Sequence, residues 1–245
     1  MTGIRTTFTD HGTPRHRGTE KDKPSLDDLG VSVPRWFVAV CILAISLIAP
    51  TNGEAQTSNF TIRGFADAGS RTFTAEKSFK AVLGSATGPV FGGGVEAVLW
   101  RHVFVDVRAS RFSRTGHRVF VFEGREFDLG IPATITIRPI ELNVGYRVTP
   151  GRRVVPYGAI GAGWHAYTET STFADAGENV EDTFNGFQVL GGAEVRMWRW
   201  IAIGGEVQWA RVPDALGTDP NGVSKEFSET DLGGATFRVR VIVGR

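Results

Sequence analysis

With 27 Lys and Arg against 26 Asp and Glu, this chain of 245 residues has a formal net charge of +1, so the balance points to no nucleic-acid partner. Its mean hydropathy of -0.08 excludes a helical membrane protein but not a β-barrel, whose strands turn only every second side chain to lipid. Glycine is abundant at 31 residues, and the length allows one sizeable domain plus extensions.

Residues 1–34 are polar, near neutral and rich in Thr, Asp, Arg and Lys, and they read as a disordered extension. A leader normally begins close to its basic residues, so the expected true start is internal, at Val31 or Val33 from a non-ATG codon. An intact Met1 on the unprocessed precursor would refute that. Phe37 to Ala49 is the only long apolar run; its 13 residues fall short of the about 20 that a helical span needs. Arg35 precedes it, Pro50 to Gly53 break it, and Gly53-Glu54-Ala55 offers small residues at the two positions a signal peptidase reads. Residues 35–55 are therefore expected to be a signal peptide cleaved after Ala55, with Gln56 the first mature residue; a short membrane anchor is the alternative. Cys41 does not mark a lipoprotein, because it lies inside the apolar run behind Val40, where a small residue is required.

From residue 56 to 245, long polar loops alternate with very short turns between amphipathic segments. The spacing predicts strands at about 59–74, 89–100, 103–114, 133–148, 154–170, 184–198, 200–212 and 227–243. The first long loop holds Glu76, Lys77, Ser78 and Gly84-Ser85. The second contains Val119-Phe120-Val121-Phe122 and Glu126-Phe127-Asp128-Leu129, which reads as a hairpin extension. The third is acidic (Asp175, Glu178, Glu181, Asp182), and the fourth carries Pro213, Gly217, Pro220 and Asn221-Gly222. Trp100-Arg101-His102, Thr149-Pro150-Gly151-Arg152 and Arg199 mark the short turns. Eight strands with both chain ends on one side give an all-β, antiparallel, up-and-down barrel.

Alternation is clear in several strands. Phe237, Val239, Val241 and Val243 oppose Arg238 and Arg240; Ile201, Ile203, Val207 and Trp209 oppose Glu206 and Gln208; Val103, Val105 and Val107 oppose Asp106 and Arg108. Ile140, Leu142, Val144 and Tyr146 oppose Glu141, Asn143 and Arg147, but Ile135 and Ile137 fall out of step, and a bulge or kink near Pro139 is expected. Alternation alone does not say which face is inside. A soluble, lipocalin-like barrel turns its apolar side inward, whereas a membrane barrel inverts this. Aromatic placement favours the membrane arrangement. Trp100, Tyr146, Tyr157, Trp198 and Trp200 lie at the short-turn ends, and Phe112, Trp164, Tyr167, Phe187 and Trp209 toward the long loops. The nine steps from Trp200 to Trp209 rise about 21–25 Å along a tilted barrel axis, the height of an outer-membrane apolar band.

On these features, and on the glycine-aromatic strands Phe91 to Ala97, Tyr157 to Trp164 and Gly191 to Val195, the chain from about Gln56 to Arg245 resembles eight-stranded outer-membrane barrels of the OmpA transmembrane, OmpX and OmpW type. It looks most like the broad outer membrane protein beta-barrel domain family. The resemblance implies an outer-membrane location, lipid and the barrel-insertion machinery as partners, and no cofactor. It departs at the end, Val243-Gly244-Arg245, where members usually carry the aromatic residue that the insertion machinery reads.

Parity predicts a lumen lined by Arg63, Asp67, Glu96, Asp106, Arg108, Glu141, Asn143, Arg147, Glu194, Arg196, Glu206, Gln208, Arg238 and Arg240, six arginines against six carboxylates. Eight strands leave room only for side chains, so the expected role is structural or surface-interacting, with an ion-pair network plugging the tube. A small passive channel is the alternative, with a soluble binding barrel a further one. No enzyme activity is expected. His117, Ser113 and His165 form no recurring catalytic spacing, and the five histidines show no paired metal spacing. Gly92-Gly93-Gly94 and Gly191-Gly192 lack the Lys-Ser/Thr of a phosphate loop and read as places where the sheet bends or large neighbours approach.

Overall fold

The computed structural model describes residues 60–122, 125–148, 152–171, 180–217 and 222–244. All lie in the compact unit Gly53–Arg245. The expected extension, signal peptide and cleavage site lie outside the described residues, as do Asp175, Glu178, Pro220 and Asn221.

Eight antiparallel strands close on themselves in chain order: β1 (Phe60–Phe73), β2 (Thr87–Leu99), β3 (Val103–Phe122), β4 (Arg125–Arg147), β5 (Val154–Thr170), β6 (Val180–Arg196), β7 (Ile201–Arg211) and β8 (Gly234–Gly244). Closure comes from β1 against β8, with Gly64 opposite Val243 and Phe73 opposite Gly234. Closure leaves no open sheet edge around the barrel itself; above it the β3–β4 hairpin is paired on one side alone.

The period-two pattern decides what each face meets. Phe91, Val95, Val144, Ile160, Val189, Val207, Phe237, Val239, Val241 and Val243 point outward and are exposed, while Asp67, Glu96, Arg108, Glu141, Glu206, Arg238 and Arg240 point inward and are buried. This is the inverse of a soluble barrel.

The strand-4 expectation is corrected. Arg138, Pro139 and Ile140 face Ala166, His165 and Trp164 in unbroken register, so there is no bulge at Pro139. Ile135 and Ile137 keep strict alternation and point inward. What changes at Pro139 is the lumen, which turns from ionic to apolar above it. The register shift lies higher, between His117 and Val119. There Gly130, in the left-handed region at φ 66, donates its N–H to Asp128 Oδ1 (2.8 Å). Above it β3 and β4 continue as a hairpin, with Phe120 opposite Phe127.

Two helices occupy segments read as plain loop. α1 (Glu76–Leu83) ends at Gly84, whose left-handed φ of 71 lets its N–H reach Lys80 O at 2.8 Å. Its Phe79 and Leu83, four residues apart, face down onto the barrel mouth. Lys80 hydrogen-bonds Glu76 on the exposed side and holds that carboxyl below its usual range. α2 (Val223–Glu226) is a single turn. Strand 8 begins at Gly234 rather than Phe227, because residues 227–233 fold over the mouth instead of joining the sheet.

Phe73, Phe79, Leu83, Phe112, Ile135, Ile137, Tyr167, Val212 and Leu232 form one buried apolar cluster at the long-loop end. Phe73 and Phe79 stack at 4.0 Å between ring centres, and Phe112 meets Phe73 edge-on at 4.9 Å. This cluster is a cap, closed from above by α1.

Candidate functional site in the barrel lumen

Below the cap, the inward positions of seven strands bring their charges together, and β5 adds the Tyr157 hydroxyl. Arg108 on β3 reaches Glu206 on β7 with both prongs, Nη1 to Oε1 at 2.6 Å and Nη2 to Oε2 at 3.1 Å. Glu206 also accepts from Arg240 Nη1 at 3.0 Å and from the Tyr157 hydroxyl at 3.1 Å. Arg238 hydrogen-bonds Gln208, whose amide donates to Glu141 at 2.8 Å. The Asp67 carboxylate lies 3.5 Å from Arg108 Nε and 3.7 Å from Arg238 Nε. A side branch runs from Gln188 to Asn143 (2.9 Å) and from Asn143 to Asp106 (2.8 Å). The Arg240 guanidinium also lies over the Phe65 ring at 3.9 Å. One layer nearer the short turns, Arg63 pairs with Glu96 and reaches Glu194 at 3.0 Å, and Arg147 closes on Glu194 from the other side.

Such a network is tolerable only because it is shared. A single uncompensated charge in this interior would cost several kcal/mol, on the order of a whole domain's margin of stability. Bidentate arginine–carboxylate geometry gives the strongest and most directional pairing available. The strands make room with glycine where two large side chains converge. A Cβ on Gly161 would lie 2.2 Å from Asn143 Oδ1 and 2.8 Å from Gln188 Nε2, and one on Gly192 would lie 2.7 Å from Tyr157.

The match to the family described as outer membrane protein beta-barrel domain runs over residues 37–225. The chain belongs to that family. Among curated proteins none matches. Of solved structures, a major outer membrane protein of Thermus thermophilus is 10% identical, with 76% of this chain and 99% of that one covered at a TM-score of 0.51, which shows a shared fold. The N-terminal barrel domain of Pseudomonas aeruginosa OprF (13% identity, 77% and 98% covered, TM-score 0.43) and neisserial surface protein A (13%, 76% and 97%, TM-score 0.44) also match.

An outer-membrane barrel is set in lipid, and the exposed apolar belt of this one is therefore its membrane-facing surface. The soluble binding-barrel alternative is overturned, since membership of this family places the chain in the outer membrane. The aromatic positions divide. Trp100, Trp198 and Trp200 are exposed at the short-turn end beside Tyr146, which stacks on His102 at 5.2 Å; at the other end Phe187 and Trp209 are exposed and meet edge-on at 6.0 Å, and Trp164 is half-buried. Tyr157, Phe112 and Tyr167 are corrections. They are only 8%, 1% and 8% exposed and stand on the inward face, Tyr157 bonded to Glu206 and the other two in the cap. Aromatic position along a strand fixed their height but not their side.

Of the lumen residues expected from parity, Arg196 alone is exposed; it ends β6 at the mouth, beyond reach of the pairs above it. Three inward residues were not anticipated. Arg71, four positions after Asp67 on the same face, donates to Leu232 O at 3.2 Å and lies over Phe73 at 4.9 Å. Gln188 joins the Asn143 branch. His165 is fully buried, and neither ring nitrogen has a hydrogen-bond partner. Extending the parity of β1 by two inward positions and of β6 by three reaches Arg71 and Gln188, whereas no β5 residue stood in the expected lining to point to His165. The rim candidates do not converge: Ser113 bonds Thr136 at 3.0 Å, His117 faces Asp128 at 3.6 Å, and His165 lies inside the lumen.

Proposed function

We propose that this barrel is a closed, loop-presenting element of the outer membrane, with a structural or surface-interaction role rather than a conducting or catalytic one. The observation that carries this is the stacking of two unlike seals. The Arg108–Glu206–Arg240 network crosses the tube, and the cap of Phe73, Phe79, Ile137 and Leu232 lies above it. An ion entering from outside would have to displace apolar packing and then break charge pairs. Rim residues that do not meet in one constellation support the non-catalytic part of the reading. Reconstitution of the purified mature chain in planar bilayers tests it. A baseline without unitary steps is expected, and regular steps of one size would overturn it.

A small passive channel remains the second reading because of one observation. Both Asp67 carboxylate oxygens, Asp106 Oδ2, Gln188 Oε1 and Arg240 Nη2 are buried without a hydrogen-bond partner. Buried polar atoms of this kind are commonly satisfied by internal water. The same recording decides between the two readings.

A further inference from the structure

The short-turn end of the barrel opens into a cavity of about 620 Å³, lined by Arg63, Arg101, His102, Arg147, Arg196 and Arg199 with no carboxylate among its lining residues. The two acidic groups just above it are already engaged, Glu96 by Arg63 and Glu194 by Arg63 and Arg147. Arg101, Arg196 and Arg199 have no carboxylate partner among the described residues; Arg199 lies instead over the Trp200 ring at 5.4 Å. The charge is one-signed along the sequence as well. Residues 97–103, 147–148, 152–156 and 195–203, which build this end, contain six arginines and no Asp or Glu. Carboxylates are found at the opposite end, on Glu76, Asp128, Asp182, Asp214 and Glu229.

One feature shows that the vestibule is built rather than incidental. Arg147 is 4% exposed, and its buried Nε–H has no hydrogen-bond partner. The tight hairpin between β2 and β3, with left-handed backbone at both Trp100 and Arg101 (φ 49 and 68) as such turns require, sets Arg101 at the mouth.

We propose that this vestibule binds a phosphate-type anion, carried by a solute or by a lipid headgroup. A concave, one-signed cavity concentrates counter-ions, and guanidinium forks match tetrahedral oxyanions in a way that a lysine cluster would not. The proposal is independent of whether the lumen above conducts.

The test uses the mature barrel in phosphatidylcholine nanodiscs in chloride buffer, titrated calorimetrically with inorganic phosphate, beside the R101Q/R196Q/R199Q variant. These three side chains take no part in the buried network, so the variant should keep heat-modifiable migration; R101Q alone serves as a milder second variant. Saturable phosphate binding is expected, weakened about ten-fold or more in the triple variant and less in R101Q. A parallel arm adds phosphatidylglycerol and follows its phosphorus NMR signal. Uptake of free phosphate points to a solute. Protein-dependent broadening of the lipid phosphorus signal, lost in the triple variant, points to a headgroup, and either supports the site. Absence of both effects, an undiminished response in the triple variant, or an equal response to chloride at matched ionic strength would overturn it.

Discussion

Arg108 and Glu206 stand 98 residues apart in the chain and on strands across the barrel from one another, yet they meet through two hydrogen bonds at 2.6 and 3.1 Å. Both are fully withdrawn from solvent. Replacing Glu206 by Met should therefore strand Arg108 and Arg240 together and destabilise the barrel by about 3–5 kcal/mol. The temperature at which the folded, fast-migrating band converts in SDS gels should fall sharply. Adding Arg108→Met to that variant removes one stranded cation and should raise the conversion temperature again, a non-additive result expected of side chains in one network. A double variant worse than the single one would mean that the pair is not energetically coupled.

The architecture was legible because a barrel writes a period of two into its sequence; the eight strands follow from that period with the turns between them, and the inward charges follow once the aromatic rows set which face is outside. What was not legible has specific causes. The step at Ile135 and Ile137 imitates a bulge, because a hydropathy pattern cannot distinguish a backbone slip from a change in what fills the tube. α1 is only eight residues long, too short for periodicity to announce, although Phe79 with Leu83 and Gly84 after them were its signals. Aromatic character at girdle height points Phe112, Tyr157 and Tyr167 outward, whereas the parity of their own strands already points them in.

Gly161 lies between two polar side chains that approach closely only because it has none. An added Cβ would lie 2.2 Å from Asn143 Oδ1 and 2.3 Å from the Leu142 carbonyl, and the carbonyl belongs to a paired strand that cannot give way. Gly161→Ala should cost about 1–3 kcal/mol. Gly205, with nothing within 4 Å of the same added atom, is the internal control, and its alanine variant should be close to neutral in the same gel assay.

Val241 is exposed on the outward face of β8, opposite Ala66 and Ile203 in the neighbouring strands. Arginine there should lower stability in bilayers by about 2–4 kcal/mol if the position is near the midplane. Comparing denaturant midpoints in phosphatidylcholine vesicles measures this. A variant as stable as the parent in lipid would mean that the belt does not meet hydrocarbon at that height.

The leader makes a prediction of mass. Processing after Ala55 should leave the protein recovered from outer membranes beginning at Gln56, and intact-mass measurement reads this directly. A species that keeps Phe37 to Ala49 would turn the apolar run into an anchor instead.

Glu229, in the segment before β8, grips the start of α1 from 151 residues away. Its carboxylate accepts from the Lys77 and Ser78 backbone N–H groups at 3.0 and 2.8 Å and from the Ser78 hydroxyl at 2.6 Å. These are donors that an isolated helix leaves unsatisfied, and no side chain at the helix's own N-cap satisfies one. A negative group there also suits the helix dipole. Glu229→Ala should therefore loosen α1, and with it the lid on the apolar cap, without touching the strands below. The expected result is faster proteolysis between Thr74 and Thr87 with an unchanged heat-conversion temperature, because local opening and global unfolding draw on different contacts. If both quantities moved together, the cap would be part of the barrel's cooperative core rather than a separable lid.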